Sequence, residues 1–154
     1  MGPNLKSITL SSPDLAHGQP IEKRFTHEGN DDIPRLVVAG VPSDAVELAV
    51  IMHDPDAPWT YGFVHWTAYG IPTDVSELTP EVLATARTGP NETGDHAYLG
   101  PYPPPGHGTH HYFFEIYALD RKVEGEPTRD EFMREYAGNV IDQARICGTY
   151  ERHE

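Results

Sequence analysis

A chain of 154 residues suits a single domain over 1–154, because a chain this size buries roughly 68–70% of its unfolded surface around one core. Apolar residues make up 38% and charged residues 23%, and 14 glycines with 15 prolines exceed the roughly 11 and 8 of an average chain this long, which favours turns over long helices. A formal charge of −13 excludes non-specific nucleic-acid binding and stable docking on anionic membranes, both of which are repelled at long range.

In chain order, Ser7-Ile8-Thr9-Leu10 alternates polar and apolar residues and predicts a half-buried strand. A turn-rich stretch, 11–20, follows. Segments 36–39, 46–52 and 63–71 are β-branched or aromatic runs bounded by Gly, Pro or Asp, and read as strands. Within 46–52, Leu48-Ala49-Val50-Ile51-Met52 is continuously apolar, as a strand covered on both faces would be. Thr79-Pro80 supplies a cap and a first-turn proline for a short helix to about Ala86. Asn91-Glu92-Thr93 matches a glycosylation sequon but reads as a polar loop. Segment 112–119 reads as another strand. Thr128-Arg129-Asp130-Glu131 is a capping box, with Phe132, Met133, Tyr136, Val140 and Ile141 at helical spacing behind it. That helix is expected to end near Gly138 or a few residues later, with 146–150 returning as a strand. No run of about 18 apolar residues occurs, and Met1 to Lys6 lacks the apolar stretch of a signal peptide, so the chain reads as soluble and cytoplasmic. Cys147 stands alone and cannot form an internal disulfide.

Three stretches concentrate residues able to do chemistry. In Asp54-Pro55-Asp56-Ala57-Pro58 two prolines stiffen the exit from the most apolar strand and present two carboxylates; a plain proline turn with solvated acids is the simpler reading. In Phe63-Val64-His65-Trp66-Thr67-Ala68-Tyr69, period-two geometry puts Phe63, His65, Thr67 and Tyr69 on one face and Val64, Trp66 and Ala68 on the other. A lone histidine among aromatics is more often a hydrogen-bonded structural residue than a site. Gly100 to Tyr112 is too rich in proline and glycine for helix or central strand and reads as an ordered loop feeding a strand. If the strand begins by His110, then His110 and Tyr112 point to one side, offering imidazole and phenol donors beside glycine N–H groups, as a phosphate oxygen needs. A polyproline ligand for a partner is the competing reading of the loop.

Taken together and in order, these motifs resemble the phosphatidylethanolamine-binding proteins, specifically the short bacterial and archaeal, Raf kinase inhibitor-like type. Asp54-Pro55-Asp56-Ala57-Pro58 resembles the first family signature; His65-Trp66 follows at the short-type spacing, and Gly100-Pro101, Pro104-Pro105-Gly106, His110 and Tyr112 resemble the second. Phe25-Thr26, Glu28-Gly29, Gly40-Val41-Pro42, Ile71-Pro72, Tyr117-Ala118-Leu119 and Gly148-Thr149-Tyr150 lie in order around them. The resemblance implies a mainly β fold: a large, antiparallel-rich central sheet packed on a smaller sheet, with one or two peripheral helices. It implies a small-anion pocket lined by Asp54, Asp56, Pro58, His65, Gly100, Pro104, His110 and Tyr112. His111 stands where the family usually has arginine, Tyr102 where it often has cysteine or glycine, and Phe63 where eukaryotic members have tryptophan.

The expected function is binding of phosphate or a phosphorylated head group with a regulatory role: His65 and His110 donate to the anion, Tyr112 adds a hydroxyl, and Asp54 or Asp56 fixes a histidine tautomer or meets an ammonium group. The alternative is inhibition of a protease or a kinase pathway by protein contact, through the stiff loop 101–105. A metal enzyme using two histidines and a carboxylate is a third reading. The resemblance implies no metal, no cofactor and no catalysis, and short members can pair as homodimers.

Overall fold

The computed structural model describes residues 7–58 and 62–153; the leader reading at Met1 to Lys6 lies outside the described residues. Among the described residues nine strands form two sheets. The small sheet holds β1 (Thr9–Ser11), β3 (Leu36–Ala39) and β6 (Glu77–Leu78) in the order β1-β3-β6. The large sheet adds β2 (Gln19–Pro20), β4 (Glu47–Asp54), β5 (Phe63–Ile71), β7 (Arg87–Thr88), β8 (His110–Leu119) and β9 (Val140–Tyr150) in the order β2-β9-β8-β4-β5-β7. All pairs are antiparallel except β2 with β9. The α-helices among the described residues, α1 (Pro80–Leu83) and α2 (Arg129–Tyr136), complete the mainly β architecture that the resemblance implies.

The continuous apolar run of β4 has the cause inferred for it. Leu48, Val50 and Met52 pack with Leu36, Val38 and Leu78 of the small sheet, while Ala49 and Ile51 pack with Phe132 and Tyr136 of α2. Each of Leu48 to Met52 is fully buried, so β4 is the floor between two apolar layers. The capping box forms as read: Glu131 N donates to Thr128 Oγ1 at 3.2 Å and Thr128 N donates to Glu131 Oε1 at 2.9 Å.

Three expectations are corrected. Helix α1 closes at Leu83, short of Ala86. Helix α2 closes at Tyr136, and Val140 and Ile141 belong to β9; a 3-10 turn over Ala137–Asn139 reverses the chain, and the eleven-residue β9 then runs along β8 from Val140. In β5 the simple alternation fails. Met52 pairs with Trp66 but His53 with Val64, so His65 is an extra residue in a β-bulge. Phe63, opposite Asp54, and His65 face the pocket, whereas Thr67 and Tyr69 turn to the α2 side and Trp66 and Ala68 enter the inter-sheet core. A second irregularity, between Leu48 and Val50, lies at Gly70, whose φ of 79° suits a residue without Cβ. It brings Ile71 back to the inter-sheet core.

Candidate functional site

Strand β4 ends at Asp54 and β8 begins at His110, both in the register that faces the small-sheet side. Asp54 and His110 are each 2% exposed, and Asp54 Oδ2 lies 2.5 Å from His110 Nδ1. The other carboxylate oxygen of Asp54 accepts the backbone N–H of Asp56 at 2.7 Å, closing the proline turn. Burial raises the Asp54 pKa above the usual carboxylate value against the opposing bond to His110.

These residues sit at the base of a cavity of about 470 Å³. Tyr112, two residues along β8, and His65, brought round by the bulge, form the aromatic floor, with ring centroids 5.3 Å apart. Ala57 and Pro58 from the first motif, Phe63, Leu99, and Pro103 and Pro104 from the proline loop supply apolar walls. His27, Tyr102, Thr93 and Asp95 contribute from loops. The proline loop is held in place at several points. His27 N donates to Pro101 O at 3.0 Å, Arg152 Nε donates to Pro103 O at 2.8 Å, and the Arg152 guanidinium lies 3.8 Å over the Tyr102 ring.

The electrostatics differ from the expectation of two donating histidines. His65 Nδ1 lies 2.7 Å from the carbonyl oxygen of Leu99, to which it donates. Burial lowers the His65 pKa to about 4, so the ring is neutral near pH 7 and Nε2 is an acceptor. Burial, with the charge of Asp54 next, pushes the Tyr112 phenol well above its usual range, so it stays protonated. Of these two histidines, His110 is the one whose Nδ1 meets a carboxylate.

Of the residues implied by the resemblance, Asp54, Pro58, His65, Pro104, His110 and Tyr112 meet in this one cavity, and Asp56 and Gly100 stand behind it. Asp56 Oδ2 accepts from His111 N at 2.8 Å and meets His111 Nδ1 at 2.7 Å, clamping the start of β8. Although burial opposes it, these bonds hold the Asp56 pKa below the usual carboxylate value. Gly100 donates its N–H to Asp31 Oδ1 at 2.8 Å, and a Cβ there would stand 2.3 Å from Phe25 O. Its role is a close backbone crossing. His27, Thr93, Asp95 and Leu99 were not legible as site residues, because they come from loops without periodicity or motif. Among the described residues no group of three His, Cys, Asp or Glu side chains is placed to hold a metal ion.

The phosphatidylethanolamine-binding protein family model matches residues 11–151. A UPF0098 protein of Chlamydia pneumoniae is 36% identical over 151 residues, covering 94% of this chain and 99% of its own. A UPF0098 protein of Pyrococcus horikoshii is 36% identical over 160 residues, covering 98% and 80%. Among solved structures, a phosphatidylethanolamine-binding protein homologue of Chlamydia trachomatis superposes with a TM-score of 0.87 at 31% identity, covering 96% of this chain and 99% of that one. The E. coli protein YbcL, described as a new member of the mammalian family, gives 0.86 at 28% identity, covering 94% and 98%. A carboxypeptidase Y inhibitor solved with its cognate proteinase shares the fold at a TM-score of 0.58 and 18% identity, covering 96% and 84%. The family model, the relatives and the two-sheet architecture agree: the chain belongs to the phosphatidylethanolamine-binding protein family.

Proposed function

We propose that this protein binds a small phosphorylated ligand, with the phosphate-like group at His110 and the organic remainder against the apolar walls. The observation that carries the reading is the buried Asp54–His110 pair, at 2.5 Å, opening on a cavity of about 470 Å³. That volume falls in the range of about 300–1,000 Å³ typical of small-molecule sites and exceeds what a bare anion fills. A carboxylate on Nδ1 orients the ring and stabilises its protonated form, which then donates from Nε2 to an oxyanion. His65, held neutral by Leu99, complements it by accepting from a P–OH or an ammonium group. The net charge of −13 makes the approach of an anion unfavourable at long range, but contacts at the pocket act well within a Debye length of about 8 Å.

One charge-assisted bond, worth roughly 1.5–3 kcal/mol, with an accepting histidine and apolar contact must offset the loss of rigid-body freedom, so binding of inorganic phosphate is expected in the millimolar range. A phosphorylated ligand with an organic substituent binds more tightly. Calorimetric titration with O-phosphorylethanolamine and inorganic phosphate tests this ordering; equal affinity for the two removes the role given to the walls.

Inhibition by protein contact is the second reading. It is favoured by Tyr102, which is 46% exposed on a loop stiffened by Pro103 to Pro105 and braced by Arg152. Failure to inhibit a panel of serine proteases and carboxypeptidases at micromolar protein removes it.

A further inference from the structure

His107 lies outside the set of residues carried over from the family and is exposed at the edge of the site, yet its ring meets the buried His110. Its Nδ1 stands 2.7 Å from His110 Nε2, with ring centroids 4.9 Å apart. Thus one nitrogen of the buried His110 meets Asp54 and the other meets His107. The nitrogen facing His107 is the one an oxyanion needs.

The two histidines are mounted differently. His110 is locked in β8, whereas His107 is exposed on a turn closed by His107 N donating to Pro104 O at 3.2 Å. Gly106 and Gly108, with φ of 73° and 91°, flank it, and neither has an atom within 4 Å of where a Cβ would stand. Glycine adopts both signs of φ, so turn conformations that carry the His107 ring away from His110 are open to these two residues.

The proton arrangement sets a condition on exchange. With the Asp54 carboxylate as acceptor, the proton between the pair sits on His110 Nδ1, and in the neutral ring Nε2 carries a lone pair that accepts from His107 Nδ1–H. An oxyanion brought to that lone pair is repelled unless a proton arrives with it. The other groups facing the histidine pair are Tyr112 and His65 within the pocket and Asp56 and His111 beside the start of β8. On the terminal segment, Glu151 accepts from Thr109 Oγ1, and Arg152 accepts from Gly106 N through its carbonyl.

We propose that His107 is a built-in competitor for the anion seat: it holds His110 Nε2 until an anion displaces it, and the displacement takes up one proton at the Asp54–His110 pair. His107 leaves with its own N–H and turns to solvent, the proton taken up goes to His110 Nε2, and the anion accepts from it. This rests on the phosphate-binding reading above and specifies how that site is regulated.

Sulfate is the probe, because it is dianionic at every pH used and brings no proton. Wild type, His107→Ala and His107→Gln are titrated calorimetrically at about pH 8 in two buffers of different ionisation enthalpy, which reads proton uptake directly. With no N–H···N bond to break, His107→Ala is expected to bind about fivefold more tightly than wild type, the factor that one net hydrogen bond is worth. His107→Gln, whose amide can still donate to Nε2, returns toward the wild-type value. Uptake is expected to approach one proton per sulfate in wild type and in His107→Ala. Equal or weaker binding by His107→Ala, or binding without proton uptake, overturns the proposal. If neither sulfate nor phosphate binds any of the three proteins, the phosphate-binding reading itself fails and takes this one with it; binding by all three with equal affinity defeats the competitor alone.

Discussion

Asp54 and His110, 56 positions apart in the chain, meet at 2.5 Å in the register that joins the end of β4 to the start of β8. Everything proposed for the pocket depends on that buried contact. Asp54→Asn keeps the shape and removes the charge that stabilises a protonated His110. It is expected to weaken phosphate binding at least tenfold and to change stability by about 1–3 kcal/mol in the destabilising direction. Calorimetry together with urea unfolding separates the two effects, and unchanged affinity contradicts the role given to the carboxylate.

The buried histidines predict how stability changes with pH. His65 and His53 are both held near pKa 4, His65 by burial and His53 by burial with help from Arg129 and Arg145, against an ordinary value of 6.5. Because the unfolded chain binds protons at higher pH than the folded one, stability is full above 6.5 and is lost as pH falls toward 4. For His65 the loss reaches about 3 kcal/mol across that window. Asp54, whose pKa burial raises, contributes in the opposite sense: the folded state holds its proton more tightly, so this contribution grows as pH falls below the raised value. Unfolding free energies measured from pH 7 down to 4 are expected to flatten in His65→Gln relative to wild type; parallel curves contradict the assignment.

Gly100 is predicted to be intolerant for steric reasons. A Cβ at that position would come within 2.3 Å of Phe25 O and 2.8 Å of the Thr26 backbone, so Gly100→Ala is expected to cost about 3 kcal/mol or more. Thermal melting of the purified variant tests this. A melting temperature within a degree or so of wild type would show that the crossing relaxes easily.

The cap of α2 supports the sheet face opposite the pocket. Removing the hydroxyl in Thr128→Ala strips the acceptor from Glu131 N and is expected to cost about 1 kcal/mol, or roughly 2–4 °C in melting temperature, with ligand affinity unchanged. A loss of affinity would reveal coupling between the two faces of the large sheet.

The sequence made some parts of this molecule readable and concealed others, for identifiable reasons. The strand at Leu48 to Met52 was legible because burial on both faces demands an unbroken apolar run, and the Thr128 cap because its partner Glu131 is local. Val140 and Ile141 misled because their spacing from Phe132 and Tyr136 fits a helix equally well, and only pairing with β8 assigns them to β9. The bulge at His65 is invisible to alternation, since an inserted residue changes faces without changing composition. Strands of two residues such as Gln19–Pro20 and Arg87–Thr88 carry no period at all. Asp56 and Gly100 lie in motifs that build the site, yet contact with His111 and Phe25 places them behind the cavity.

A phosphate-like group at His110 is what the proposed function requires. Titration of wild type and His110→Ala with inorganic phosphate, followed by calorimetry and by the ring resonances of His110 and His107, addresses it most directly. Wild type is expected to bind in the millimolar range with a change at both rings, and the variant to lose binding. Equal binding by the two proteins, or saturation without a change at either histidine, would contradict it.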